Sequence, residues 1–70
     1  MDRTPVVSSN LKSVGYNANA KILEIEFHNG SVYQYYGVPL NVYEGLMKAS
    51  SHGKFFHAHI RNAYNYKRIR

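Results

Sequence analysis

The sequence predicts an α+β fold: a small three-stranded antiparallel β-meander, then two helices packed on one face, then a basic C-terminal tail. Three observations predict it. Ile22-Leu23-Glu24-Ile25-Glu26-Phe27 alternates apolar and polar residues with the period of a half-buried strand. Asn29-Gly30 follows at once and marks a tight hairpin. Beyond Gly37-Val38-Pro39 the spacing turns helical, with Val42, Tyr43, Leu46 and Met47 at i, i+1, i+4 and i+5.

The first strand is expected over Leu11–Tyr16, with Val14 and Tyr16 on one face, and Asn17-Ala18-Asn19-Ala20 turns the chain into the second. Residues 1–7 form a polar, flexible lead-in unless Val6 and Val7 find a place to dock, so the domain proper is 8–70. The hairpin has two possible registers. A two-residue loop at Asn29-Gly30 would place Gln34 among the apolar residues. A three-residue loop, His28-Asn29-Gly30 with Gly30 left-handed, puts Leu23, Ile25, Phe27, Tyr33 and Tyr35 on one face. Glu24, Glu26, Val32, Gln34 and Tyr36 then share the other. A slip of one residue exchanges the faces, so the cleaner segregation is preferred and Tyr33 and Tyr35 are expected in the core.

Pro39 suits the first position of a helix running from Leu40 to about Ser50, since its missing N–H is not needed there. Ser50-Ser51-His52-Gly53 breaks that helix, and a shorter one is expected over Lys54–Arg61. Phe55/His59 and Phe56/Ile60 are its i,i+4 pairs, and Lys54, His57 and Arg61 form a stripe on its other side. Tyr64, Tyr66 and Ile69 stand among Lys67, Arg68 and Arg70 in the tail.

Seventy residues make one domain with a small core. Without cysteine there is neither a disulfide framework nor thiolate chemistry, in keeping with a reducing compartment, and no apolar run approaches a membrane span. The start does not read as a signal peptide, so a cytoplasmic address is expected. Residues 1–44 carry three cations and four acids, whereas residues 45–70 carry six cations and no acid, giving the net charge of +5. An acid-free stretch of this length attracts polyanions.

Taken in order, Ser8-Ser9-Asn10, Val14-Gly15-Tyr16, Leu23-x-Ile25-x-Phe27, Asn29-Gly30 and Tyr33-x-Tyr35 make a recognisable series. Val38-Pro39, Ser51-x-Gly53-x-Phe55-Phe56 and Ile60-Arg61 with Tyr64 continue it. Together they resemble the KTSC domain, known from the C-terminus of some lysyl-tRNA synthetases and from free-standing bacterial or phage proteins. The family's central Tyr-x-Tyr falls on Tyr33 and Tyr35. The resemblance implies a compact domain from about Ser8 to Ile69 and a conjectured role in RNA binding.

Catalysis finds little support. Glu24 and Glu26 share a strand face, but acid–base chemistry needs a pair across a cleft with environments that separate their pKa values. The serine pairs read as turn and capping residues. His57 and His59, two apart on a helix, point away from each other and cannot chelate one ion, and His28 and His52 lie elsewhere. The glycines stand singly, so no phosphate-cradling loop is formed. No enzyme, metal, cofactor or small-molecule substrate is expected.

Nucleic acid, RNA foremost, is the expected partner. The outer sheet face, with Glu24 and Glu26, would repel phosphate, so contacts are assigned to Lys54, His57 and Arg61 and to Lys67, Arg68 and Arg70. Tyr64 and Tyr66 are expected to stack on bases beside these cations. Asn29, Gly30, Pro39, Gly53 and Phe56 are assigned to the framework with Tyr33 and Tyr35. The rival is a protein-interaction or self-association module, monomeric or a weak homo-oligomer, using Val32, Tyr36 and an edge strand at Leu11–Tyr16.

Overall fold

Seven elements make up the computed structural model, which describes residues 1–70. β1 (Thr4–Pro5), β2 (Leu11–Asn17), β3 (Ile22–Phe27) and β4 (Val32–Tyr36) precede α1 (Leu40–Lys48) and α2 (His52–His59). β5 (Asn65–Arg68) ends the series. The strands form one antiparallel sheet in the order β1-β2-β3-β4-β5. The three-stranded meander expected from the sequence is the middle of this sheet; a strand is added at each edge.

The hairpin adopts the three-residue loop. Leu23 lies opposite Tyr35, Ile25 opposite Tyr33 and Glu26 opposite Val32. Phe27 N donates to the Ser31 carbonyl at 2.9 Å, and Gly30 turns the chain at φ +89, a conformation that costs glycine nothing. This register gathers Leu23, Ile25 and Tyr35 with Leu11 and Val14 of β2, beneath Val38, Leu46, Phe56 and Ile60. Leu11, Leu23, Ile25, Leu46 and Ile60 are fully buried, each contributing about 1.5–3 kcal/mol of transfer free energy. Tyr16 stacks on Tyr43 at 4.6 Å between ring centroids and donates its hydroxyl to the Val38 carbonyl at 2.6 Å.

Local chemistry sets the helix starts. Pro39 is the N-cap of α1 rather than its first turn; its carbonyl accepts from Val42 N and Tyr43 N at 3.1 and 3.3 Å. Ser51 Oγ caps α2 by accepting from Lys54 N, so α2 begins at His52, two residues before the expected Lys54. Gly53 therefore lies inside the helix rather than breaking it. A Cβ on Gly53 would stand 2.8 Å from Asn10 Nδ2, which shows how closely α2 meets the start of β2. Gly45 likewise admits the Phe55 ring, bringing α1 against α2.

The outer sheet face differs most from expectation. The lead-in is not loose: Thr4 and Pro5 pair with Val14 and Ser13, so β2 is no edge, and Val6 packs on the core periphery. The tail is not loose either. β5 pairs with β4, and the pairing continues through Ile69 N and Arg70 N, which both donate to the Val32 carbonyl. Val32, expected outside as a partner surface, is buried, and Glu24 is only 4% exposed.

Arg3 bridges to Glu24, which also accepts from Gln34 Nε2 at 2.9 Å. Ser13 Oγ donates to Glu26 at 2.9 Å, and Arg70 Nη2 meets the same carboxylate at 3.0 Å. Burial alone would raise the Glu24 carboxyl, but the bonds from Gln34 and Arg3, with the charge of Arg3, hold it below the ordinary carboxylate range. Glu26 is lowered as well, chiefly by its bond from Ser13 and then by Lys12, Arg3 and Arg70. These acids are internal counter-ions, not a bare repulsive face. No helix is long and apolar enough to cross a membrane.

Candidate nucleic-acid interface

A groove of about 650 Å³ runs between α2 and the β4–β5 side of the sheet. Its floor is aromatic. Tyr33 and Tyr35, two apart on β4, project to the same side, and the β4–β5 register puts Tyr66 directly opposite Tyr35. The Tyr66 ring lies 5.8 Å from Tyr33 and 5.7 Å from Tyr35 between centroids. Phe56 meets Tyr35 edge-on at 5.4 Å and Phe27 at 5.6 Å, fixing the floor to the core. The floor is graded: Tyr35 is buried, Tyr33 half-buried and Tyr66 59% exposed.

One wall is basic. His57 comes from α2, and Arg61 lies just past its end, where Arg61 N donates to the Phe56 carbonyl. Arg61 Nη1 is 3.2 Å from His57 Nδ1. A guanidinium has no acceptor, so Nδ1 accepts, and the His57 proton sits on Nε2, free to donate. The Tyr35 hydroxyl is pushed up to about 12 by burial and by Tyr33 and Tyr66, against a smaller opposing effect of the Arg61 charge. Tyr35 is thus a neutral floor residue and Arg61 a charge acting over it.

The other wall carries polar groups, Ser9 and Asn10 before β2 and His28, Asn29 and Ser31 in the hairpin, while Asn62 follows Arg61 at the end of the helix side. His28 Nε2 donates to the Ser8 carbonyl at 2.7 Å, and Asn29 Oδ1 accepts from Ser31 N and Oγ. The hairpin wall is thereby braced by its own side chains.

The structure divides the residues assigned from the sequence. His57, Arg61 and Tyr66 meet at the groove. Arg68 lies two residues from Tyr66 on β5 and so projects to the same side, while Lys67 projects to the opposite one. Lys54 is exposed on the first turn of α2. Arg70 is engaged with Glu26 and the Gly30 carbonyl on the outer face, away from the groove. Tyr64 packs against the core. Tyr33, expected in the core, packs against it but is only half-buried and forms part of the groove floor. Asn10, His28 and Asn62 were not anticipated as site residues. A signal for part of this was present: Ser9-Asn10, Asn29, Tyr33, Tyr35, Phe56 and Arg61, scattered along the series of motifs, converge on this one groove.

The KTSC domain family matches residues 7–64, five-sixths of the chain. The chain belongs to the KTSC family. An uncharacterized protein of Stutzerimonas stutzeri is 40% identical over 70 residues, with 99% of each chain covered. A lysine–tRNA ligase of Trichormus variabilis is 39% identical over 59 residues, covering 84% of this chain but only 10% of the ligase. A similar ligase of Nostoc is 38% identical over the same length. Among solved structures, a KTSC domain protein from Yersinia pestis superposes with a TM-score of 0.93 at 38% identity, covering 99% of this chain and 97% of that one. The KTSC frame is therefore the five-stranded sheet with two helices, and the groove lies within it.

Proposed function

We propose that this KTSC protein is a non-catalytic domain that binds single-stranded nucleic acid, RNA foremost, in the groove between α2 and β5. One observation carries the reading: an exposed aromatic floor, Tyr66 beside Tyr33, lies under a wall bearing Arg61 and His57. Single-strand binders combine stacking platforms with cations that follow the phosphates. Lys54 and Arg68 extend the positive surface, and Lys67 adds to it from the far side of β5. The lysine–tRNA ligases that share this segment act, by their name, on a tRNA, which agrees with RNA as the ligand. The absence of cysteine fits a cytoplasmic setting.

A protein-docking role has one observation of its own, the outer backbone edge of β5, whose four residues are all exposed. Lys67 and Arg68 on that edge oppose pairing between two copies by like-charge repulsion. Titration of a labelled single-stranded RNA at two ionic strengths separates the readings. For two or three phosphate contacts, log K should fall against log salt with a slope of about −1.4 to −2.1. No binding at low salt would sink the nucleic-acid reading.

A further inference from the structure

The groove is graded along two directions at once. Exposure of its floor rises from Tyr35 through Tyr33 to Tyr66, so only the outermost ring offers most of its area to a ligand. Among the lining residues the fixed positive charge is on the helix side, at Arg61 beside His57, while the hairpin side presents amides, hydroxyls and the His28 ring. The volume, about 650 Å³, lies in the range of small-ligand clefts and is far too small for a duplex.

We infer that the groove is a single-nucleotide subsite, in which one unpaired base stacks on Tyr66 while its phosphate is held by Arg61 and His57 Nε2–H. The inference rests on the nucleic-acid reading above and adds the unit that is recognised. The recognised chemistry is a nucleoside monophosphate, whether free or within a single strand. With the phosphate on the helix side, the edge of the base faces the hairpin wall. There the amide of Asn10 can both donate and accept, as base edges require. A base has two donor–acceptor edges but no net charge, so neutral amides suit it. The bond from Arg61 to His57 Nδ1 turns the other imidazole nitrogen outward as a donor, giving the phosphate two donors of different reach. Tyr35 stays neutral and buried beneath, so no phenolate opposes the phosphate.

The test is competition. A fluorescein-labelled single-stranded RNA is bound to the intact protein at low salt and then challenged with AMP, UMP or the corresponding nucleosides at millimolar concentration. The monophosphates are expected to displace the strand and the nucleosides to do so much less. Tyr66→Val keeps a strand-forming residue on β5 and is expected to weaken both ligands about tenfold or more, whereas Tyr66→Phe retains the stack and the affinity. Thermal midpoints for both variants confirm that β5 remains docked. If the strand binds but monophosphates fail to displace it, or Tyr66→Val leaves affinity unchanged, the single-nucleotide subsite is overturned and the broader reading stands. Nucleosides competing as well as monophosphates overturn the phosphate assignment to Arg61 and His57. If neither strand nor monophosphate binds, both readings fall.

Discussion

Replacing Arg3 with methionine tests the claim that the N-terminal segment is structural. Methionine keeps an apolar stem over the sheet and removes only the guanidinium. Arg3 bridges Glu24, donates to Ser13 Oγ at 3.1 Å and stands 3.8 Å from Glu26. Without it, the Glu24 carboxylate, 5% exposed, retains only the bond from Gln34. Removing one partner of a fully buried pair costs about 3–5 kcal/mol. The Arg3 side chain is 23% exposed, and water entering its place would re-solvate part of the carboxylate, so about 2 kcal/mol is expected. For a domain of this size that lowers the thermal midpoint by roughly 8–16 °C.

Glu24→Gln is the partner variant, and the double variant should cost less than the two single losses together, because no uncompensated charge remains. The pH dependence carries a sign. The folded Glu24 pKa lies below its unfolded value, so its contribution is complete above about pH 4.3 and is lost as pH falls through the lower folded value. Arg3→Met should flatten that acid limb. Calorimetry or circular dichroism reads both effects. A midpoint within about 2 °C of the parent at neutral pH would refute the argument and return residues 1–7 to the status of a loose lead-in.

Gly15→Ala should act on the same segment from below. Its Cβ would fall 2.6 Å from the Asp2 carbonyl oxygen, a backbone atom, so the crossing strand must lift, at about 1–3 kcal/mol by urea denaturation. Leu46→Ala, at a fully buried site between α1 and the sheet, should cost about 2–5 kcal/mol in the same assay, at the lower end only if α1 settles inward. At alkaline pH the sign reverses relative to Glu24. Tyr35 ionises near 12 when folded and near 10 when unfolded, so stability should fall as pH rises between those values. Phenolate absorbance should show Tyr35 among the last of the seven tyrosines to titrate.

The middle of the fold was legible because both of its signals are strong. Alternation in Ile22–Phe27 and the Asn29-Gly30 turn set the register, and that register correctly placed Leu23, Ile25 and Tyr35 on one face. The outer strands were illegible for a physical reason. Asn65-Tyr66-Lys67-Arg68 is exposed at every position, so no burial pattern marks it; its conformation comes from backbone pairing with β4. Thr4-Pro5 is short and holds a proline, which a sheet tolerates only at an edge, and an edge is where it lies. For the same reason Glu24 and Val32 look solvent-facing in the sequence, until the chain ends are laid over them. The candidate site was half legible. His57, Arg61 and Tyr66 were chosen for charge and aromaticity, and they meet. The motifs carry no sign that Tyr33 stays only half-buried or that Asn10 and Asn62 border the same groove.

The position of Tyr66 on β5 has a consequence for timing. The outermost ring of the floor belongs to the most peripheral strand on that side of the sheet, held by β4 and, at its far end, by Arg70 on Glu26. Edge strands of this kind open locally more often than the core exchanges its amides. Each opening carries Tyr66 away from Tyr33 and Tyr35 and dissolves the groove without unfolding the domain. The groove is thus present for only as long as β5 is docked, and a ligand that stacked on Tyr66 would lengthen that interval. Amide hydrogen exchange in Tyr66–Arg70 should slow with ligand while exchange in β3 is unchanged. The same strand that completes the platform is the one whose release would empty it.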